Sequence, residues 1–168
     1  MAGFRGLATQ AAVLYTTHCL LRWQADPQPE TYAHIPDWLR PGRMQLTMPH
    51  ALWVSQLVWR PLREWVATQG GRYVQDDFIL SYARNLKIDW EGMGRSLTGG
   101  SSPGRKGSRE KAFESGVFEV SSTGEVVMTG KFEQAVRELG NWGMRREFLA
   151  NYPELGECVR RARDSFSS

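Results

Sequence analysis

Between Thr31 and Val66 the chain reads TYAHIPDWLRPGRMQLTMPHALWVSQLVWRPLREWV, a stretch in which four prolines interleave with four of the seven tryptophans. A proline blocks helix continuation and biases the residue before it toward extended backbone, so Ile35, Arg40, Met48 and Arg60 are expected breaks between short elements. Trp38, Trp53, Trp59 and Trp65 fall between those breaks. Four indoles supply much of a core, and each one that is buried needs an acceptor for its N–H. The stretch is therefore expected to form a packed floor or the wall of a pocket.

The rest of the chain reads mainly as helix. Leu7, Ala11, Leu14, Tyr15, Cys19 and the stem of Arg22 follow helical spacing over Leu7 to Trp23, with Thr9 as a candidate N-cap. On that helix His18 reads as a hydrogen-bonded core histidine in preference to a catalytic one. Asp26-Pro27-Gln28-Pro29 ends it. A helix is expected from about Pro61 to Gln69, with Gly70-Gly71 as its stop, and another over 75–88, where Phe78, Tyr82 and Leu86 recur and Asp76 and Asp77 complement the dipole of the first turn. Val117 to Thr129 alternates in part and suggests a hairpin turning near Thr123-Gly124, the alternative being an extended loop. Phe132, Val136 and Leu139 restore helical spacing up to Gly140-Asn141, and Glu147 to Tyr152 opens a last helix. The expected fold is mainly α: one small domain of five or six short helices and one possible β-hairpin, made of residues 1–91 and 117–158. A Gly/Ser/Arg-rich loop over 92–116 and a tail over 159–168 are expected to be mobile and frayed.

Composition narrows the function classes. At 168 residues the chain can bury a real core, and its 41% hydrophobic and 23% charged content is that of a soluble globular protein. A net charge of +3 is too small to imply nucleic-acid binding by itself. Cys19 and Cys158 have no CxxC spacing and are read as reduced thiols, although one bridge between them is also open. There is no apolar run of the ~18 residues that a membrane helix needs, and the N-terminus lacks the pattern of a signal peptide, so an intracellular, cytoplasmic protein is expected.

Candidate chemistry concentrates in the opening stretch. His50, after Pro49 and among Trp53, Trp59 and Trp38, is the first choice for proton transfer; its competing reading is a histidine that caps a helix and packs between indoles. Arg40 and Arg43 flank a Pro-Gly turn, where planar guanidinium forks can hold a carboxylate or enolate, or else satisfy helix carbonyls. Glu64 completes the catalytic candidates, and Trp53, Trp59, Gln45 and Tyr82 are the candidate substrate contacts. No metal site or cofactor is expected: Asp76-Asp77 has no partner motif, and Gly99 to Gly104 lacks the Lys-Ser/Thr and the preceding strand of a phosphate loop.

The residues Tyr32, Pro36, Trp38-Leu39-Arg40-Pro41, Gln45, Pro49-His50, Trp53, Trp59, Pro61 and Arg63, then Phe78 to Trp90, then Leu139-Gly140-Asn141-Trp142 and Tyr152-Pro153-Glu154-Leu155, resemble the pattern of a fungal family of unknown function. That family is usually found C-terminal to a basic-leucine-zipper (bZIP) segment, and the resemblance covers about residues 12–156. The chain departs from it at Ser55, where the family usually has an acidic residue, at Val58, where it has proline, and at Glu64, where it has aspartate. Residues 1–30 are read as having neither a basic segment nor leucine heptads, so zipper-type DNA binding is not expected. Met1 and the ordered first helix favour a stand-alone relative over a fragment of a longer protein.

Two functions follow. One is a cofactor-independent cyclase, isomerase or dehydratase acting on an apolar small molecule in fungal specialised metabolism. The alternative, implied by the resemblance, is a ligand- or partner-sensing regulatory module, which would be nuclear. Neither calls for specific nucleic acid or a membrane, and both are compatible with a homo-oligomer.

Overall fold

In the computed structural model, residues 4–69, 71–73, 76–90 and 116–164 are described. The prolines set the element boundaries much as their chemistry dictates. Helix α1 (Leu7–Ala25) stops just before Asp26-Pro27, and α2 (Pro29–Ala33) starts on Pro29. A 3₁₀ turn, Asp37–Leu39, follows Pro36, α3 (Arg43–Thr47) follows Pro41, and Leu52–Gln56 is a second 3₁₀ turn. Helix α4 (Arg60–Thr68) carries Pro61 in its first turn, where the missing N–H has no helical partner to lose.

After α5 (Asp76–Asn85) the chain leaves helical geometry three residues earlier than its spacing suggests. Leu86–Ile88 is a strand, β1, because it pairs antiparallel with Trp142–Met144, with Leu86 opposite Met144 and Ile88 opposite Trp142. Numbered in chain order, the remaining strands are β2 (Phe118–Val120), β3 (Val126–Met128) and β4 (Trp142–Met144). Strands β2 and β3 form the expected hairpin, and Gly124 in its turn has φ 83°, a left-handed conformation that glycine adopts without strain. Thr129 caps α6 (Gly130–Arg137) by accepting from the Phe132 N–H at 3.3 Å. Helix α7 (Arg146–Asn151) and a 3₁₀ turn, Pro153–Leu155, lead into α8 (Gly156–Asp164). The tail expected from residue 159 is thus helical as far as Asp164, since α8 packs on α4 and buries Val159. The result is one mainly helical domain, with eight α-helices and two small two-stranded sheets among the described residues. The loop expected over 92–116 lies outside the described residues, apart from Gly116.

Helix α1 differs from its expected stripe. Its inward face consists of Thr9, Ala11, Ala12, Thr16, Cys19 and Leu20, whereas Leu7, Leu14 and Leu21 are exposed. Thr9 lies inside the helix, where its hydroxyl accepts from the Ile88 N–H, and Gly6 occupies the N-cap position. His18 is exposed, so it is not a core histidine. The three exposed leucines recur every seven residues, a heptad spacing not anticipated in the first thirty positions. Gln10, Thr17 and His18 stand between them, where a zipper would place apolar partners. No disulfide joins Cys19 and Cys158. No helix among the described residues is long and apolar enough to cross a membrane.

The tryptophans divide between core and surface. Trp38, Trp59 and Trp142 are buried, with Trp38 meeting Trp142 edge-on at 5.4 Å, while Trp53 is half-buried and Trp65 is 41% exposed. The indole of Trp38 donates to the Arg137 carbonyl at 3.0 Å and that of Trp142 to the Val136 carbonyl at 2.9 Å, so both find their acceptors on α6. The Trp59 N–H has no partner among the described residues.

Candidate functional site

The proline-broken stretch wraps around one side chain, Arg63 on α4, which is fully buried. Its guanidinium uses every donor position of the fork. Nη1 donates to the carbonyls of Leu57 at 2.7 Å and Val58 at 3.0 Å, Nη2 to those of Trp38 at 2.9 Å and Arg40 at 3.3 Å, and Nε to Gln45 Oε1 at 3.0 Å. No carboxylate pairs with it among the described residues. Burial pushes the guanidinium down to about 10, so it is still a cation at neutral pH. A charge removed from water is tolerated when all its donors are satisfied, and here backbone carbonyls from two separate segments and one side-chain amide do that.

From Arg63 a line of hydrogen bonds runs outward. Gln45 Oε1 also accepts from the Gly42 N–H at 3.0 Å, fixing the amide so that its Nε2 donates to Ser55 Oγ, a longer contact of 3.4 Å. Ser55 Oγ lies 2.9 Å from His50 Nε2, and His50 Nδ1 lies 2.8 Å from the Met48 carbonyl. A carbonyl only accepts, so Nδ1 carries the ring hydrogen and the neutral imidazole presents a bare Nε2 to the serine hydroxyl. Donors therefore point one way throughout: from the Arg63 cation through Gln45 and Ser55 to His50, and from His50 to Met48. Such a chain polarises each member, so the buried cation favours negative charge on the serine oxygen while the imidazole is placed to take a proton.

This line ends on the floor of a cleft of about 430 Å³, lined by Trp23, Gln24, Pro27, Pro41, Gln45, Leu46, His50, Leu52 and Ser55. The volume is within the range of small-molecule sites, and a few convergent polar groups beneath an apolar rim are the usual construction of one. Leu46 and Leu52 form that rim, 69% and 54% exposed. His50 also lines a cavity of about 210 Å³ with Trp53 and Tyr73. Trp53 in turn lines an inner pocket of about 160 Å³, whose walls include Tyr82 and Trp142.

The structure brings together some of the residues singled out from the sequence and separates others. His50 and Gln45 meet in the cleft. His50 does not cap the turn that follows it; Ala51 occupies the N-cap position, and the ring instead turns back to Met48. Arg40 is held away by Asp37 at 2.8 Å and lies over the Tyr32 ring, with its Nε buried and unpartnered among the described residues. Arg43 is exposed at the start of α3 and lines no part of the cleft. Glu64 pairs with Arg60 at 3.3 Å and abuts Gly42, where a Cβ would collide with it. Trp59 is core. Tyr82 is buried too; its hydroxyl accepts from the Val58 N–H at 2.9 Å, and burial raises its pKa well above that of an ordinary tyrosine.

Ser55 and Arg63 were missed as a working pair. Arg63 stood among the residues of the family pattern and Ser55 among the departures from it, but neither spacing nor composition shows that Gln45 joins them. Among the described residues, no group of three His, Cys, Asp or Glu side chains is placed to hold a metal ion.

No curated protein and no solved structure matches the chain. Residues 18–161, from within α1 to within α8, match the family described as a domain of unknown function (DUF3425), and the chain belongs to that family.

Proposed function

We propose that the cleft above Ser55 and His50 binds an apolar small molecule and that the protein transforms it without a cofactor, by proton transfer at His50. The observation that carries this reading is the Nδ1–H bond to the Met48 carbonyl, which leaves Nε2 as the basic atom facing Ser55 inside the cleft. A nucleophile or relay hydroxyl, a base beside it and a group that orients the base are the elements of proton-transfer sites. For a carbonyl-bearing substrate, Nε2 would take the proton next to the carbonyl. On binding, the Ser55 hydroxyl would turn from Nε2 to the substrate oxygen, freeing Nε2 as the base, and with the Gln45 amide, backed by Arg63, would donate to the oxygen on which charge develops. Isomerisation, aldol-type cyclisation and β-elimination of water next to a carbonyl begin with this step. The apolar rim of Leu46 and Leu52 suits a hydrophobic molecule of the kind made in fungal specialised metabolism.

The partner inferred is thus a small molecule and not nucleic acid or a membrane, and the compartment proposed with it is the cytoplasm. The regulatory reading, in which the same cleft senses a ligand in a nuclear relative of bZIP regulators, shares the binding step and lacks the turnover.

An organic extract of fungal culture, incubated with wild type, His50→Ala, His50→Gln and Ser55→Ala and followed by mass spectrometry, separates the two. The wild type is expected to convert at least one apolar compound. His50→Ala should be slower by ~10²–10⁴-fold, the usual share of a positioned acid or base, with melting unchanged. Ser55→Ala should lose ~10²-fold, as for a removed oxyanion donor. Glutamine at 50 can donate a hydrogen bond but cannot shuttle a proton, so His50→Gln should match His50→Ala. Retention of a compound by all four proteins with no conversion by any would leave the sensing module in place of the enzyme.

A further inference from the structure

The inner pocket is separate from the cleft floor and has a different character. Its deep walls are Val58, Tyr82, Leu86 and Trp142, all buried, and its mouth lies among half-buried residues, Gln56 and Ile79 included. The polar groups at depth are already committed: the Tyr82 hydroxyl accepts from the Val58 N–H and the Trp142 N–H donates to the Val136 carbonyl. Water entering there would find few partners, and apolar cavities of this size stay dry and take up compact hydrocarbons. At the mouth, Thr17 Oγ1 donates to Gln56 Oε1 at 2.8 Å, which fixes the amide and leaves its Nε2 as a donor.

We propose that this pocket is a second ligand site, independent of the His50 cleft, for an uncharged single-ring aromatic molecule with one oxygen substituent, that is, a simple phenol. A volume of about 160 Å³ fits one ring with a small substituent and excludes fused ring systems. The aromatic walls offer edge-to-face contacts to the ring. Gln56 Nε2 would donate to the ligand oxygen at the mouth. A carboxylate would have to be desolvated against apolar walls with no cation among the lining residues, so ionised analogues are excluded.

Titration calorimetry and thermal melting with p-cresol, toluene and 4-hydroxybenzoate test this. Wild type should bind p-cresol saturably with a dissociation constant of about 0.1 mM, a good value for eight heavy atoms, and should be stabilised by it. Toluene should bind several-fold more weakly and 4-hydroxybenzoate not at all. Ala83→Leu, which adds three carbons from α5 into the pocket, should lower p-cresol affinity at least tenfold, and Ile79→Phe, one turn earlier on α5, should do the same should the first variant fail to fold. Gln56→Leu should erase the preference for p-cresol over toluene. His50→Gln should bind p-cresol like wild type, so this site stands or falls apart from the cleft. Wild type without saturable p-cresol binding, or an affinity that survives either filling substitution in a folded protein, overturns the proposal.

Discussion

Replacing Arg63 with alanine is expected to abolish cooperative folding. The substitution removes one cation and leaves the carbonyls of Trp38, Arg40, Leu57 and Val58 short of their donor in a dry interior, while Gln45 Oε1 keeps only the Gly42 N–H. Each buried acceptor left without a partner costs ~1–3 kcal/mol, so four of them approach the whole ~5–15 kcal/mol stability of a domain. Lysine separates charge from geometry. It keeps the cation but offers three donors from one point in place of five from a planar fork, so Arg63→Lys should fold with a clearly lowered melting temperature. Methionine, which fills similar volume with no donors, should behave like alanine. Circular dichroism melts of the three variants check this, and an alanine variant that melts within a few degrees of wild type would show the carbonyls to be satisfied in another way.

Trp38→Ala is expected to cost ~3–5 kcal/mol, the range for deleting a buried large aromatic. The indole lies edge-on to Trp142 and hydrogen-bonds the Arg137 carbonyl, so it ties the proline-broken stretch to α6 and to β4 at once. Trp38→Phe keeps most of the apolar surface and loses the N–H, so it should fall between wild type and alanine. Urea titration gives both free energies. An alanine variant as stable as wild type would mean that the two halves of the chain are held together elsewhere.

Prolines and periodicity made most of the elements legible, because both act locally. Pro36, Pro41, Pro49 and Pro61 mark real boundaries, and Gly124 marks the hairpin turn. What local pattern could not show is pairing at a distance. Leu86–Ile88 continues a helical spacing yet becomes a strand because Trp142–Met144 is there to pair with it. The C-terminal helix reads as a charged tail until α4 is placed against it. On α1 the error had another origin: Leu7 and Leu14 look like the core face, but the buried face uses Ala11, Ala12, Thr16 and Cys19, small residues that let neighbouring elements approach closely.

The candidate site was half legible for a similar reason. His50 stands out by residue type and by its proline, and it does reach a cleft. Arg40, Arg43 and Glu64 stand out equally, but Asp37 and Arg60 hold the first and last away from the cleft and Arg43 is in solvent. Ser55 and Arg63 are unremarkable in sequence; their roles come from Gln45 on α3, whose amide accepts from Arg63 with one end and donates toward Ser55 with the other. A buried cation with carbonyls for partners has no composition signal at all.

The central claim is that the Met48 carbonyl holds His50 with an unprotonated Nε2 against Ser55. Long-range ¹H–¹⁵N correlation spectra of the imidazoles measure this directly, with His50→Gln identifying the His50 signals among the three histidines. At pH ~8.5, where an ordinary histidine is neutral, the spectrum should show hydrogen on Nδ1 and a basic Nε2, and Ser55→Ala should shift the Nε2 resonance while leaving Nδ1 protonated. A ring that carries its hydrogen on Nε2, or that exchanges freely between the two tautomers, would contradict the account.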